Sequence, residues 1–139
     1  MIIMAVDLGL ARTGLAICDK FEMLSSPLCV ICERRKEILI QKINDYAKEN
    51  CCELIVVGLP KNMDGSEGES AIRAREFAKE LKEKSNINVD MWDERCTTVN
   101  AHNYLNITNT CGKKRKQVID SVSATIILED YLKFRKAKA

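Results

Sequence analysis

Apolar and polar residues change their spacing several times along this chain, and each change marks an element. Residues 2–6 (IIMAV) form a short apolar run, and Gly14–Cys18 (GLAIC) forms another after a glycine-containing turn. Residues 23–32 read as extended too, and Pro27 points to a sheet edge because proline cannot donate to a ladder. Three short strands so close in sequence predict an antiparallel meander. From about Lys36 the period becomes helical, through Leu39, Ile43, Tyr46 and Ala47. Residues 54–57 (LIVV), ending at Gly58-Leu59-Pro60, are a continuous apolar run that suits a strand buried on both faces. The polar loop KNMDGSEGES leads to a helix carrying Ala74, Phe77, Ala78 and Leu81, and Ser66 with Glu69 has capping-box spacing for its start. Ile87, Val89 and Met91 alternate with polar residues, a half-buried strand running into Asp93-Glu94-Arg95. Thr97 or Thr98 caps a short helix through Leu105, and a polar loop with Gly112 precedes a last helix from about Gln117 to Phe134.

The predicted order is β-β-β-α-β-α-β-α-α. A meander followed by alternating helices and strands gives an α/β fold: a five-stranded mixed sheet, antiparallel over its first three strands, then parallel, flanked by helices. That is a ribonuclease-H-like layout, although periodicity does not choose it over other α/β folds. With no repeats or linkers, residues 1–139 are read as one domain, a usual size for one. The composition, 46% hydrophobic and 30% charged, is that of a soluble globular protein. Net charge is only +2, so any nucleic-acid footprint must come from local clustering. Seven cysteines is an odd number, and MIIMAV lacks a basic leader, so reduced thiols in a cytoplasmic protein are expected. Cys29-Val-Ile-Cys32 has metal-ligand spacing, but no second pair follows, and apolar residues between the two indicate strand packing. Nothing approaches the roughly 18 apolar residues of a membrane span.

Three carboxylates look out of place. Asp7 ends the first apolar run and precedes Gly9 and Gly14; a turn-forming Asp is equally common there, and the local sequence does not choose. Glu94 lies just past the strand 87–92, where open α/β sheets bind ligands, but on local sequence an exposed loop carboxylate paired with Arg95 is the better reading. Asp120 says most. In a helix it shares a face with Ala124, Ile127, Tyr131 and Phe134, an apolar stripe directed at a core. Small residues at 121, 123 and 124 let that turn approach a sheet closely. Placement near a helix N-terminus suits an acid, yet does not explain the apolar side it occupies. Three inward acids repel one another unless a cation neutralises them, and all-oxygen ligation favours Mg²⁺ or Mn²⁺. Two such ions can hydrolyse a phosphodiester. No other triad or zinc motif competes, and His102, the single histidine, is read as an exposed helix residue.

With these residues in place, the sequence resembles the YqgF family of Holliday-junction-resolvase-like nucleases, essentially end to end. VDLGLARTGLAICD matches the D-x-G-x-x-R-x-G-x-A motif through Asp7, Gly9, Arg12, Gly14 and Ala16. VGLPKNMDGSEG resembles the family's glycine-leucine-proline loop, DERCTT supplies Glu94 and Arg95, and KKRKQVIDSVSATIIL supplies Asp120. Thr13 and Ser123 depart from the usual residues without removing a ligand. The resemblance implies a ribonuclease-H-like fold and a Mg²⁺- or Mn²⁺-dependent endonuclease with Asp7, Glu94 and Asp120 as catalytic ligands. It also implies a role in maturing the 5′ end of pre-16S rRNA. The alternative target is a branched DNA junction, and sequence does not choose between them.

Substrate contacts are expected from Arg12, Lys61 and Arg95 and from the run Lys113, Lys114, Arg115 and Lys116, which would draw a phosphate backbone toward the acids. Lys133, Arg135, Lys136 and Lys138 complement the last helix's dipole, and Trp92 is expected to pack in the core. Actin-like ATPases also carry a D-x-G phosphate loop, but they need two related lobes, and this chain has one D-x-G segment and length for one lobe. A non-cutting nucleic-acid-binding module is the remaining rival; loss of an acid would have favoured it. Monomer and homodimer stay open, and no membrane partner is expected.

Overall fold

The computed structural model describes residues 1–60, 64, 66–93 and 112–138, with side chains of the last helix described over 122–137. Strands β1 (Ile3–Asp7), β2 (Thr13–Cys18) and β3 (Ser25–Ile31) form the meander, and α1 (Lys36–Glu49), β4 (Leu54–Leu59), α2 (Glu69–Ser85), β5 (Asn88–Asp93) and α3 (Gly112–Lys138) follow. One five-stranded sheet runs β3-β2-β1-β4-β5, with β1, β4 and β5 parallel and the other two pairs antiparallel. β3 is an edge strand, as Pro27 requires. Its register slips where Leu15 pairs with Cys29 and Ala16 with Pro27, a bulge that accommodates the proline.

Strand alternation builds two cores. One face of the sheet carries Met4, Val6, Leu15, Ile55 and Val57 against Leu39, Ile40 and Ile43 of α1 and Phe77 and Leu81 of α2. The other carries Ile3, Ala5, Ala16, Leu54 and Val56 against Ala124, Ile127, Leu128 and Tyr131 of α3. β4 is buried at all six positions, which is why its sequence shows no alternation.

Two local expectations fail. The helix α2 begins at Glu69 behind an extended Gly68 with no side-chain cap, because Ser66 is engaged earlier: its hydroxyl donates to Asp64 Oδ1 at 2.6 Å. The helix ends as local rules predict, on a left-handed Asn86 whose N–H donates to the Lys82 carbonyl. α3 starts at Gly112 rather than near Gln117, so Lys113, Lys114, Arg115 and Lys116 are helical and not in a loop. Lys, Arg and Gln are good helix formers and no breaker intervenes, but only the part that packs on the sheet shows an apolar stripe. The short helix predicted over 97–105 lies outside the described residues.

Candidate active site

Asp7 is the last residue of β1, and the strand's period decides where it points. Ile3 and Ala5 belong to the α3-side core and Met4 and Val6 to the opposite one, so Asp7 faces α3. It is half-buried. Its cross-strand partner in β2 is Gly14. On the other side Val6 pairs with Val57, which sets Gly58 level with Asp7. Both flanking positions therefore lack a side chain, and the carboxylate stands in a bay at the carboxyl end of the parallel strands. The turn beyond it is tight. A Cβ on Gly9 would run into the Arg12 carbonyl oxygen, so only glycine fits there. That turn delivers Arg12, also half-buried, to the same end of the sheet as Asp7.

α3 is aimed at this end. At its far end Arg135 Nε donates to Glu22 Oε1 at 2.7 Å, in the β2–β3 loop beneath the amino end of β1. Higher up, Tyr131 donates its hydroxyl to Asp90 Oδ2 at 2.7 Å, and Asp90 pairs with Val56 in mid-sheet. Burial, reinforced by the bond to Asp90, pushes the Tyr131 hydroxyl up to about 12, so it stays a neutral donor. The helix thus runs antiparallel to β1, and its backbone reaches position 120 about three turns before Tyr131, roughly 16 Å nearer the carboxyl ends of the strands. Ala124, Ile127 and Tyr131 of the predicted stripe are buried. Phe134, at the end of that stripe, is 41% exposed but packs its ring on Trp92, with centroids 5.4 Å apart. Trp92 also meets Tyr131 edge-on, so it is packing as expected.

Of the predicted site residues, only Asp7 and Arg12 have described side chains. Asp120, Lys113, Lys114, Arg115 and Lys116 are placed on the backbone of α3, while Glu94, Lys61 and Arg95 lie outside the described residues, as does His102. Among the described residues no group of three His, Cys, Asp or Glu side chains could hold a metal ion. The described cysteines, Cys18, Cys29, Cys32, Cys51 and Cys52, are free thiols. Asp93 adjoins Glu94 but is turned the other way. It pairs with Leu59, and Leu59, with Met91 two residues earlier, belongs to the α1–α2 core. A cavity of about 550 Å³ lined by Phe21, Glu22, Asp90, Tyr131 and Arg135 lies at the opposite end of α3 from Asp7. No described helix is long and apolar enough to cross a membrane.

Comparison with known proteins places this arrangement in a lineage. The profile of the RuvX family, described as a Holliday junction resolvase, matches residues 1–134. The chain belongs to the RuvX family. This is the YqgF family that the motifs resemble. Curated relatives named "Putative pre-16S rRNA nuclease" include one from Halothermothrix orenii, 41% identical over 135 residues, covering 97% of this chain and 96% of that one. Another, from Clostridium beijerinckii, is 38% identical over 132 residues, covering 95% and 96%. Among solved structures, Thermus thermophilus RuvC in complex with a Holliday junction substrate superposes with a TM-score of 0.63 at 10% identity, covering 100% of this chain and 98% of that one. The fowlpox virus Holliday junction resolvase gives 0.53 at 17% identity, covering 96% and 99%. At such identities these two structures establish the fold, a ribonuclease-H-like α/β sheet, as the motifs predict.

Proposed function

We propose that this RuvX-family chain is a metal-dependent endonuclease that hydrolyses phosphodiester bonds in structured nucleic acid, maturing the 5′ end of pre-16S rRNA. The observation that carries the reading is the placement of Asp7. It is a half-buried carboxylate between two glycine positions, at the carboxyl end of β1, on the face that the antiparallel α3 covers. A carboxylate held against apolar layers is costly without a cation, and the missing neighbouring side chains leave room for one and for a phosphate. Asp7, Glu94 and Asp120 would hold the ions, an all-carboxylate donor set that suits Mg²⁺ or Mn²⁺. Such ions, held there, would supply Lewis-acid activation of a water and neutralisation of the leaving oxygen.

The chain's own part is positioning. Gly9 fixes the turn that presents Asp7 and Arg12 together. The antiparallel course of α3 carries Asp120 and the basic residues 113–116 toward the same end of the sheet. Arg12, Lys61, Arg95, Lys113, Lys114, Arg115 and Lys116 would bind the phosphate backbone on either side of the cut. In the reaction a water gives up a proton to solvent as its oxygen bonds to phosphorus in line with the P–O bond that breaks, and the departing oxygen takes a proton from solvent.

The names of the relatives favour ribosomal RNA precursor. The family description favours a branched DNA junction, which is the second reading. Both are decided by one comparison: a pre-16S rRNA fragment and a four-way DNA junction, each incubated with purified protein and Mn²⁺ or Mg²⁺ at the same salt. The expected result is specific cleavage of the RNA that Asp7→Asn abolishes. Cleavage that survives Asp7→Asn, with contaminating nuclease excluded, would sink the assigned site.

A further inference from the structure

On the other side of the Gly9 turn from Asp7 lies a second cleft, of about 270 Å³. Leu8, Gly9 and Leu10 form one wall, the β3–α1 connection with Arg34 and Lys36 a second, and Arg73 on α2 a third. Its charges do not cancel internally. Glu33, at its rim, is taken by Arg35 at 3.0 Å, and Lys36 is held by Glu80 at 3.1 Å. Among the described residues, Arg34 and Arg73 have no ion pair and the buried Nε of Arg73 has no hydrogen-bond partner. A buried guanidinium N–H without an acceptor is costly, so a cleft that keeps one is built for an acceptor that arrives from outside. Leu10, which lines the cleft beside Gly9, is 77% exposed.

We propose that this cleft is a phosphate subsite, in which Arg34 and Arg73 grip a backbone phosphate of the substrate strand flanking the cut. The strand would cross the carboxyl edge of the sheet over the Gly9 turn, with its scissile phosphate in the bay and its continuation in the cleft. A guanidinium fork matches phosphate oxygens in two parallel hydrogen bonds, which fixes register as well as adding affinity. The inference rests on the nuclease reading for its substrate, but binding tests it separately from cutting.

The test uses full-length protein carrying Asp7→Asn, so that substrate survives, with and without Arg34→Ala/Arg73→Gln. Affinity for a labelled pre-16S rRNA hairpin and for a four-way DNA junction is measured by fluorescence anisotropy across a salt series. Losing one or two phosphate contacts should lower the slope of log affinity against log salt by about 0.7–0.9 per contact, with affinity falling roughly tenfold. Whichever of the two substrates shows the lowered slope is the one the cleft holds. Mn²⁺ binding by the parent protein and by the Arg34→Ala/Arg73→Gln protein, each with Asp7 restored, should be equal. Should the double variant misfold, the exposed single change Arg34→Glu gives the same readout. An unchanged slope on both substrates in a folded variant overturns the subsite. Persistent cleavage in Asp7→Asn, with contaminating nuclease excluded, overturns the assigned active site instead, and leaves the slope measurement to decide the cleft.

Discussion

Ala124→Leu should damage cleavage far more than it damages folding. Ala124 is completely buried on the face of α3 that packs on the sheet, and two residues of that core are equally small: Ala5 and Ala16 are cross-strand partners, both fully buried. Three added carbons have nowhere to go there, so the helix must lift or tilt. Overpacking of this kind costs about 1–3 kcal/mol, which for a chain of this length lowers the melting temperature by roughly 4–10 °C. Catalysis is more sensitive. Position 120 is one turn from Ala124 on α3, and a displacement of about 1 Å in a group that positions the reaction can cost about 10²-fold. The control is Leu81→Ala on α2, which is fully buried in the opposite core and whose loss should cost about 2–5 kcal/mol without disturbing the seat of α3. Both variants are assayed for RNA cleavage with Mn²⁺, well below their melting temperatures, with folding checked by circular dichroism. If Ala124→Leu loses no more activity than Leu81→Ala, close seating of α3 does not set the geometry of the site.

Two further changes probe the same end of the sheet. Gly9→Ala forces a β-carbon against the Arg12 carbonyl, so the turn must open; a stability loss of about 1–3 kcal/mol and at least a tenfold fall in cleavage are expected, and full activity with an unchanged melting curve would show that the turn's shape is unimportant. Thr13→Val should stabilise the protein by about 1 kcal/mol in urea titrations, because the Thr13 hydroxyl is fully buried with no hydrogen-bond partner among the described residues; destabilisation would reveal a partner for that oxygen.

Much of the fold was legible because each layer leaves its own period. The all-buried β4 reads as a continuous apolar run, β5 alternates because it is half-buried, and Pro27 marks the edge that β3 occupies. The start of α3 was not legible. Residues 112–118 carry no apolar stripe, so periodicity sees the helix only where the sheet gives it a core to face. The Ser66 expectation failed for a different reason: Asp64, two residues away, offers its hydroxyl a nearer acceptor than the helix does. Arg73 was invisible as a candidate because its significance is a relation between α2, the β3–α1 connection and the Gly9 turn, segments far apart in the chain.

The choice between Asp93 and Glu94 shows what structure adds to motif. Sequence offers two adjacent acids at one strand end, and only the family resemblance prefers the second. Strand geometry bears on the first of the two. Asp93 pairs with Leu59 and shares a face with Val89 and Met91, which belong to the α1–α2 core, whereas Asp7 shares a face with Ala5 and looks toward α3. Two carboxylates on opposite faces of a sheet cannot converge on one ion without distorting the strand, because successive side chains point to opposite sides. Asp93 is thereby turned away from Asp7, toward the α1–α2 side of the sheet. A one-residue shift of register in β5 would turn Asp93 to the α3 face, and the pairing of Val57 with Met91 inside the parallel ladder is what holds that register.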